Sequence, residues 1–403
     1  MLRDKTIVLG VTGGIAAYKS AYLASALRKQ HANVHVVMTS HATEFISPLT
    51  FETLTNNRCT VEMFDRHFEY DVKHISLAKA ADLMIVAPAT ANFIAKAANG
   101  IADDMLTTVF LAAKCPKLVA PAMNTAMLEN PVTQDNLSRL AGYGIKLIEP
   151  ASGMLACGDE GRGKMPEPEE LLSHILNEIA FEKDLAGLKV LVTAGPTQEA
   201  IDPVRYITNH SSGKMGYALA KVCRMRGADV TLVSGRTALD PPLGVEVIDI
   251  TSSQEMHDAV LERASSVDMI FKAAAVADYT PVETADHKIK KQDGDMSIPL
   301  KRTSDILGDV AGIRRPDQVI CGFAMETENL LENSRSKLRR KSLDMICANS
   351  LRTEGAGFKG DTNVITIITE DETIELGMLS KTETAFRIVN KALELRRDKL
   401  SCV

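Results

Sequence analysis

The chain has 403 residues, 45% of them hydrophobic and 24% charged, with a formal net charge of −6. That length exceeds one ordinary core, so two domains are expected, and the acidic balance gives no reason to expect nucleic acid or a membrane surface as partner. Seven scattered cysteines without a C-x-x-C pair argue against a disulfide framework or a zinc site and fit a reducing, cytoplasmic compartment.

Met1–Lys5 leads straight into a strand-like run, with no signal-peptide pattern, and no apolar stretch approaches the roughly 18 residues of a spanning helix. Thr6–Val11 is continuously apolar, the mark of a strand buried on both faces. It enters Thr12-Gly13-Gly14 and then a small-residue helix from Ile15 to about Lys29. Asn33–Thr39 is the next strand. A longer connection ends in a helix near Val72–Ala80 that carries His74. Leu83–Ala87, Lys117–Ala120 and Ile145–Ile148 complete a first set of strands. Residues 153–158, small and rich in glycine around Cys157, have no apolar periodicity and read as a mobile loop.

The polar stretch Met165–Gly187 marks the boundary, with Pro168 placed to start a helix over Leu171–Phe181. The order then repeats with strands at Leu188–Thr193, Ala228–Val233, Asp268–Lys272, Gln318–Phe323 and Leu343–Cys347. Asn363–Thr369 and Thr373–Leu376 read as a hairpin, and Ser380 or Thr382 caps a final helix through about Leu395. The fold class expected is α/β, two doubly wound Rossmann-like domains in series, the second with an added C-terminal β-hairpin. The domains are placed at 1–182 and 187–403.

Ligands of open α/β sheets bind beyond the C-terminal strand ends, so chemistry is sought there. Gly13-Gly14 brings backbone N–H groups close enough for a phosphate, though alone it is equally a plain tight turn. It is not G-x-G-x-x-G, and Thr39 stands where a dinucleotide site has an acidic residue. This disfavours an NAD(P) dehydrogenase and favours a mononucleotide such as FMN. Pro88-Ala89-Thr90-Ala91-Asn92 and Pro121-Ala122-Met123-Asn124 put hydroxyl and amide groups at two further strand ends. Singly, each has a bland reading as a helix cap, and His74 and Cys157 alone mean little; their joint occurrence favours a site.

Together, His74, the Pro88–Asn92 motif, Pro121-Ala122-Met123-Asn124-x-x-Met127 and the Cys157 flap resemble the homo-oligomeric flavin-containing cysteine decarboxylases. Departures are Thr90 for a more usual Ser, Leu128 for a frequent Trp and Lys164 for an Arg, and Lys cannot make a bidentate Arg contact. The resemblance implies FMN held by Gly13, Gly14, Ile15, Thr39, Ala89, Thr90, Asn92 and Ala122. It implies that His74 assists oxidation of the substrate's thiol-bearing carbon, which supplies an electron sink for loss of CO2. Asn124 then holds the carboxylate, and Cys157 donates a proton under a flap of Met154, Leu155 and Ala156.

In the second half, Asp202–Gly216 is the densest polar stretch, and Ser211-Ser212-Gly213-Lys214 before a helix at Tyr217–Arg226 converges on an anion without being a Walker A loop. Lys272–Tyr279 sets small residues beside Asp278, which suits Mg²⁺ or a ribose. Lys288-Ile289-Lys290-Lys291 is ordinarily a solvated charge run, but beside a triphosphate it neutralises charge. These motifs resemble the phosphopantothenate–cysteine ligase half of bifunctional coenzyme A biosynthesis proteins. The resemblance implies an acyl-cytidylate made from CTP and 4′-phosphopantothenate and then attacked by L-cysteine. Lys288 serves the first step, and Asn209, with Ala274 nearby, the second, while Ala273 and Ala274 bind substrate. Asp278 (also the Mg²⁺ ligand), Lys288, Phe323, Lys337 and Lys341 contact CTP under the loop Ser304, Asp305, Ile306 and Leu307; here Thr303-Ser304-Asp305-Ile306 stands for the family's usual Asn-Pro-Asp-Ile. The resemblance further implies trimeric N-terminal and dimeric C-terminal contacts, combinable into a dodecamer. A rival reading is a regulatory FMN-binding protein without decarboxylase activity, which relatives that lose the Asn or Cys and carry acidic tails exemplify.

Overall fold

A computed structural model describes residues 1–64, 73–154, 158, 160–291, 295–326, 329–350 and 360–401. The chain divides into two compact units, Met1–Phe181 and Glu182–Val403, and each is a doubly wound α/β layer structure. No helix among the described residues is long and apolar enough to cross a membrane.

In the first unit, β1 (Thr6–Val11), β2 (Asn33–Met38), β3 (Leu83–Ala89), β4 (Lys117–Pro121) and β5 (Lys146–Leu147) form one parallel sheet in the order β2-β1-β3-β4-β5. All seven residues of β3 are buried, because helices cover both faces of the sheet. The core on one face gathers Val8, Met84, Val86, Phe93, Leu106 and Phe110, with Phe93 and Phe110 edge to face at 5.2 Å. Burying each such side chain contributes about 1.5–3 kcal/mol. The connection after β2 holds a helix, Pro48–Thr55, that the apolar pattern did not mark. The helix expected from Leu171 begins at Pro168 and ends at Ile179, with the proline in its first turn.

The stretch expected to be a loop is partly a strand. β6 (Ala151–Met154) pairs antiparallel with β7 (Glu160–Lys164). Backbone pairing needs no apolar side chains, which is why Ala-Ser-Gly-Met carried no signal. Leu155, Ala156 and Cys157, in the connection between these strands, lie outside the described residues.

In the second unit the strands are β8 (Lys189–Ala194), β9 (Gln198–Ala200), β10 (Tyr206–Thr208), β11 (Asp229–Ser234), β12 (Glu246–Asp249), β13 (Met269–Lys272), β14 (Tyr279–Pro281), β15 (Leu300–Arg302), β16 (Val319–Glu326), β17 (Met345–Ser350), β18 (Thr362–Asn363), β19 (Ile365–Ile368), β20 (Thr373–Glu375) and β21 (Leu379–Ser380). The main sheet runs β12-β11-β8-β13-β16-β17-β19-β20. It is parallel through β17, and the expected hairpin β19–β20 adds antiparallel at its end. The edge strand β12, half-exposed, went unmarked in the sequence. Pairs β9–β10 and β14–β15 form smaller ribbons. Ser380 closes a capping box on the last helix: its Oγ accepts from Glu383 N at 3.2 Å while Glu383 Oε2 accepts from Ser380 N at 3.1 Å. That helix runs Lys381–Ser401, past the expected end near Leu395. Ion pairs of Arg396 with Asp268 (2.8 Å) and Lys399 with Asp344 (2.6 Å) hold the polar last turns.

Candidate active sites

The strand order of the first sheet reverses direction between β1 and β3, and such a switch point opens a crevice at the C-terminal strand ends. Thr12 knits its two sides together. The Thr12 hydroxyl donates to Pro88 O at 2.8 Å and accepts from Thr90 N at 3.1 Å. Gly13 admits no side chain, since a Cβ there would fall 2.5 Å from His41 Cβ and 2.9 Å from its carbonyl oxygen, and Gly14 faces Thr90. The helix that follows, Ala17–Lys29, has no side-chain N-cap; its first turn is closed by backbone instead, Ala17 N donating to Gly14 O at 2.9 Å and Lys19 N to Ala16 O at 3.0 Å. Thr39, at the end of β2, has a buried Oγ1 with no hydrogen-bond partner in the protein. An orphaned hydroxyl beside a crowded glycine turn fits a phosphorylated cofactor. A cavity of about 520 Å³ elsewhere in this unit, beside Leu128, Glu149 and Arg162, is lined by none of these residues.

Two of the expected groups also do what their bland readings require. Thr90 Oγ1 caps the helix Ala91–Ala98, accepting from Phe93 N at 3.4 Å. Asn124 Oδ1 caps Thr125–Leu128, accepting from Ala126 N at 2.9 Å. The neighbouring backbone ties the edge together: Ala122 N donates to Ala89 O at 3.0 Å, and Met123 N to Gly163 O at 3.0 Å. Thr125 Oγ1 donates to Arg162 O at 2.7 Å. The β6–β7 hairpin therefore docks by backbone on the Asn124 turn. Gly163 makes this possible, with φ +134° and only 2.1 Å between a hypothetical Cβ and Met123 O. His74 lies half-buried in the first turn of the helix Lys73–Ala80, apart from these strand ends in sequence. Met154, the last residue of β6, is exposed.

The second sheet has its switch point between β8 and β13. Ala275 N donates to Gly195 O at 2.9 Å, Ala274 N to Thr193 Oγ1 at 3.1 Å and Ala277 N to Thr197 Oγ1 at 3.0 Å. The small-residue run is thus laced to the turn after β8. Asn209 joins it, its Nδ2 donating to Val276 O at 3.0 Å. Gly216 lets the helix Lys214–Met225 lie on β8, where a Cβ would meet Ala194 Cβ at 2.6 Å. The N-cap of that helix is Gly213, at φ +74° and without a capping side chain.

Beyond these strand ends lies a cavity of about 520 Å³. Six residues expected from the sequence line it: Asn209, Ala273, Ala274, Asp278, Phe323 and Lys337. Lys337 Nζ donates to Phe323 O at 2.9 Å. Lys288, Lys341 and Ser304–Leu307 are not among its lining residues. Lys341 instead pairs with Asp305, which caps the helix Ile306–Ile313. Sequence reasoning missed Lys381, Asn349 and Asn363 on the cavity wall. Asn349 Oδ1 is buried without a partner, and Lys381 opens the last helix. Both share that wall with Lys214, whose place in the anion-like stretch was the one signal available. Lys272, at the end of β13, is also buried, with Met256 Sδ at 3.6 Å from its Nζ. Burial, helped by nearby Lys337 and opposed by Asp305, pushes its ammonium down to about 7.

Comparison with known proteins matches residues 1–180 to the family model Flavoprotein and residues 185–395 to the DNA/pantothenate metabolism flavoprotein C-terminal domain. The Coenzyme A biosynthesis bifunctional protein CoaBC of Bacillus subtilis (strain 168) is 46% identical over 401 residues, covering 98% of each chain. The protein of that name from Haemophilus influenzae is 46% identical over 393 residues, again with 98% of each chain covered. Among solved structures, the C-terminal domain of a Coenzyme A biosynthesis bifunctional protein CoaBC shares 43% identity, covering 53% of this chain and 98% of its own, at a TM-score of 0.46.

Proposed function

Because the chain belongs to the family of bifunctional coenzyme A biosynthesis proteins, we propose that its two sheet edges run consecutive reactions, the C-terminal unit acting first. It is a phosphopantothenate–cysteine ligase and a phosphopantothenoylcysteine decarboxylase, and a flavoprotein. The observation that carries the assignment of sites is the C-terminal cavity, where six residues chosen from the sequence line one volume with Lys214 and Lys381.

Residues 187–403 form the ligase domain. CTP and 4′-phosphopantothenate are both polyanions, and Lys214, Lys337 and Lys381 on one cavity wall suit them. Lys288 neutralises charge as the acyl group attacks the α-phosphorus, and Asn209 with Ala274 stabilises the acyl-cytidylate for attack by the cysteine amine. No group of three His, Cys, Asp or Glu side chains could hold a metal among the described residues. Mg²⁺ enters on the triphosphate, with Asp278 as its protein ligand. Lys288 stands outside its own chain's cavity, which fits a dimer in which each copy's lysine serves the other.

Residues 1–182 form the decarboxylase domain. Gly13, Gly14, Ile15, Thr39, Ala89, Thr90, Asn92 and Ala122 hold FMN at the switch point, and the orphaned Thr39 hydroxyl supports that placement. Bound flavin supplies reversible two-electron oxidation of the thiol-bearing carbon. Asn124 holds the carboxylate until CO2 leaves, His74 assists the oxidative step, and Cys157 returns a proton. Tyr18 and Tyr22, exposed four residues apart on one helix, support a trimeric contact for this domain.

The test compares wild type with Cys157→Ser. Both are expected to convert phosphopantothenate, cysteine and CTP to phosphopantothenoylcysteine and to show flavin absorbance. Only wild type should release CO2 and form phosphopantetheine. A wild type that ligates but releases no CO2 refutes the N-terminal assignment, and equal rates with ATP refute the choice of CTP.

A further inference from the structure

The segment 282–291, which carries Lys288, has no regular secondary structure. Four of the five side chains in His287–Lys291 are basic or titrate to a cation. Such a run neither buries itself nor holds one conformation unaided. Its entry is tethered by Thr284 Oγ1 to Ala200 O at 3.2 Å and by Ala285 N to Ile201 O at 3.0 Å. Further along it is held through the backbone of Ile289.

The holder is Asp202, whose side chain is fully buried. Its Oδ1 accepts from Val204 N at 2.8 Å and Arg205 N at 2.9 Å, a local Asx turn. Such a turn needs only one oxygen. The other, Oδ2, accepts from Arg205 Nε at 3.0 Å and Nη2 at 2.5 Å, and from Ile289 N at 3.1 Å, 87 residues away in sequence. Arg205 Nη2 also donates to Ile289 O at 2.7 Å. One ion pair thus grips both polar groups of a single residue, and that residue adjoins Lys288. The guanidinium and three backbone N–H groups hold the Asp202 carboxyl well below the usual carboxylate range, so it is ionised throughout the working pH range.

We propose that the Asp202–Arg205 pair positions Lys288 for nucleotide activation by fixing the Ile289 backbone. This rests on the reading of Lys288 as a group that supports formation of the acyl-cytidylate. A pair that merely stapled the fold would contribute equally whether or not Lys288 were present. A positioning pair contributes only through that ammonium.

The discriminating variant is Asp202→Asn. The amide keeps an oxygen for the Val204 and Arg205 N–H groups but turns its NH2 toward the Ile289 N–H and the guanidinium, setting donor against donor. The expected result in the full chain is a fall in ligation kcat of about 30- to 100-fold, the scale of a displaced catalytic group, with KM for CTP within about threefold. In a Lys288→Gln background the same change should lower the residual rate by less than about twofold. Hydrogen exchange at the Ile289 amide should quicken while amides of β8 and β13 stay protected. Asp202→Ser, which keeps a hydroxyl acceptor for the turn, substitutes if the Asn variant fails to fold. Ligation within threefold of wild type, or a full second loss on top of Lys288→Gln, overturns the inference, as does failure of both variants to fold. If Lys288→Gln itself ligates at the wild-type rate, the reading of Lys288 falls and the inference with it. A slow Lys288→Gln with a fast Asp202→Asn removes the inference alone.

Discussion

Lys272 ends the central strand of the second sheet with its ammonium in the protein interior, and the cost of that placement can be measured. Free lysine holds its proton to 10.5, whereas burial brings Lys272 to about 7. Between those values the unfolded chain binds one proton more than the folded chain, so this residue makes stability rise with pH by about 1.4 kcal/mol per pH unit. Below pH 7 the full cost applies, about 5 kcal/mol for an ammonium brought from 10.5 to about 7. Lys272→Met keeps the length and removes the charge. It is expected to stabilise the C-terminal unit by at least about 2 kcal/mol at pH 7, allowing for the two- to threefold spread of such contributions. The advantage over wild type should shrink by about 2 kcal/mol between pH 7 and 9, less than two full units of slope because the folded group is already half-titrated at pH 7. Urea titrations of the full chain at pH 7, 8 and 9, read by hydrogen exchange of amides in β8 and β13, give both quantities. Parallel pH dependence in the two proteins would refute the claim that a buried, unpaired ammonium sits at this strand end.

His257 should act in the opposite sense. Its Nδ1 and Nε2 lie 2.9 Å from Asp258 and Asp309 carboxylates, which only accept, so the imidazolium is favoured and its pKa raised above the usual 6.5, chiefly by the bond to Asp258. Its stabilising contribution is present in full below pH 6.5 and is lost as pH rises through the raised folded value. His257→Gln should therefore cost melting temperature in the C-terminal unit at about pH 6 and almost none at about pH 9, and an equal cost at both would rule this out. Gly163→Ala places a methyl in the hairpin's docking contact at a left-handed φ, a strain of about 1–3 kcal/mol. Decarboxylation should fall at least about tenfold with ligation unchanged, and normal decarboxylation would show that the hairpin's seat is irrelevant to the chemistry. Asn124→Ala should weaken substrate binding in the decarboxylation assay while flavin absorbance persists; loss of the flavin instead would mean that the amide serves the cofactor.

Much of the fold was legible because strands buried on both faces leave unbroken apolar runs, as in Thr6–Val11 and Leu83–Ala87, though the latter strand continues through Pro88 to Ala89. Their repetition announced two doubly wound units. Motifs at strand ends were legible for a related reason, since small and polar residues directly after such a run have no packing role to explain them. Lys288 and the flap cysteine stood out locally, as a basic run and a glycine-rich loop, but their roles came from resemblance. The strand Ala151–Met154 was invisible because its pairing with Glu160–Lys164 is a backbone matter.

By itself, the order of residues determined which segments must be interior and where their polar punctuation falls, since hydrophobic period and turn chemistry are local properties. Only the tertiary structure decided which distant groups meet. It set Lys381 beside Asn209 in one cavity, closed Asp305 against Lys341, and brought the Asp202 carboxylate to the Ile289 amide. Hydrogen bonds and ion pairs act over a few ångströms in space and leave no periodic trace along the chain, so these meetings cannot be read before the sheet has wound.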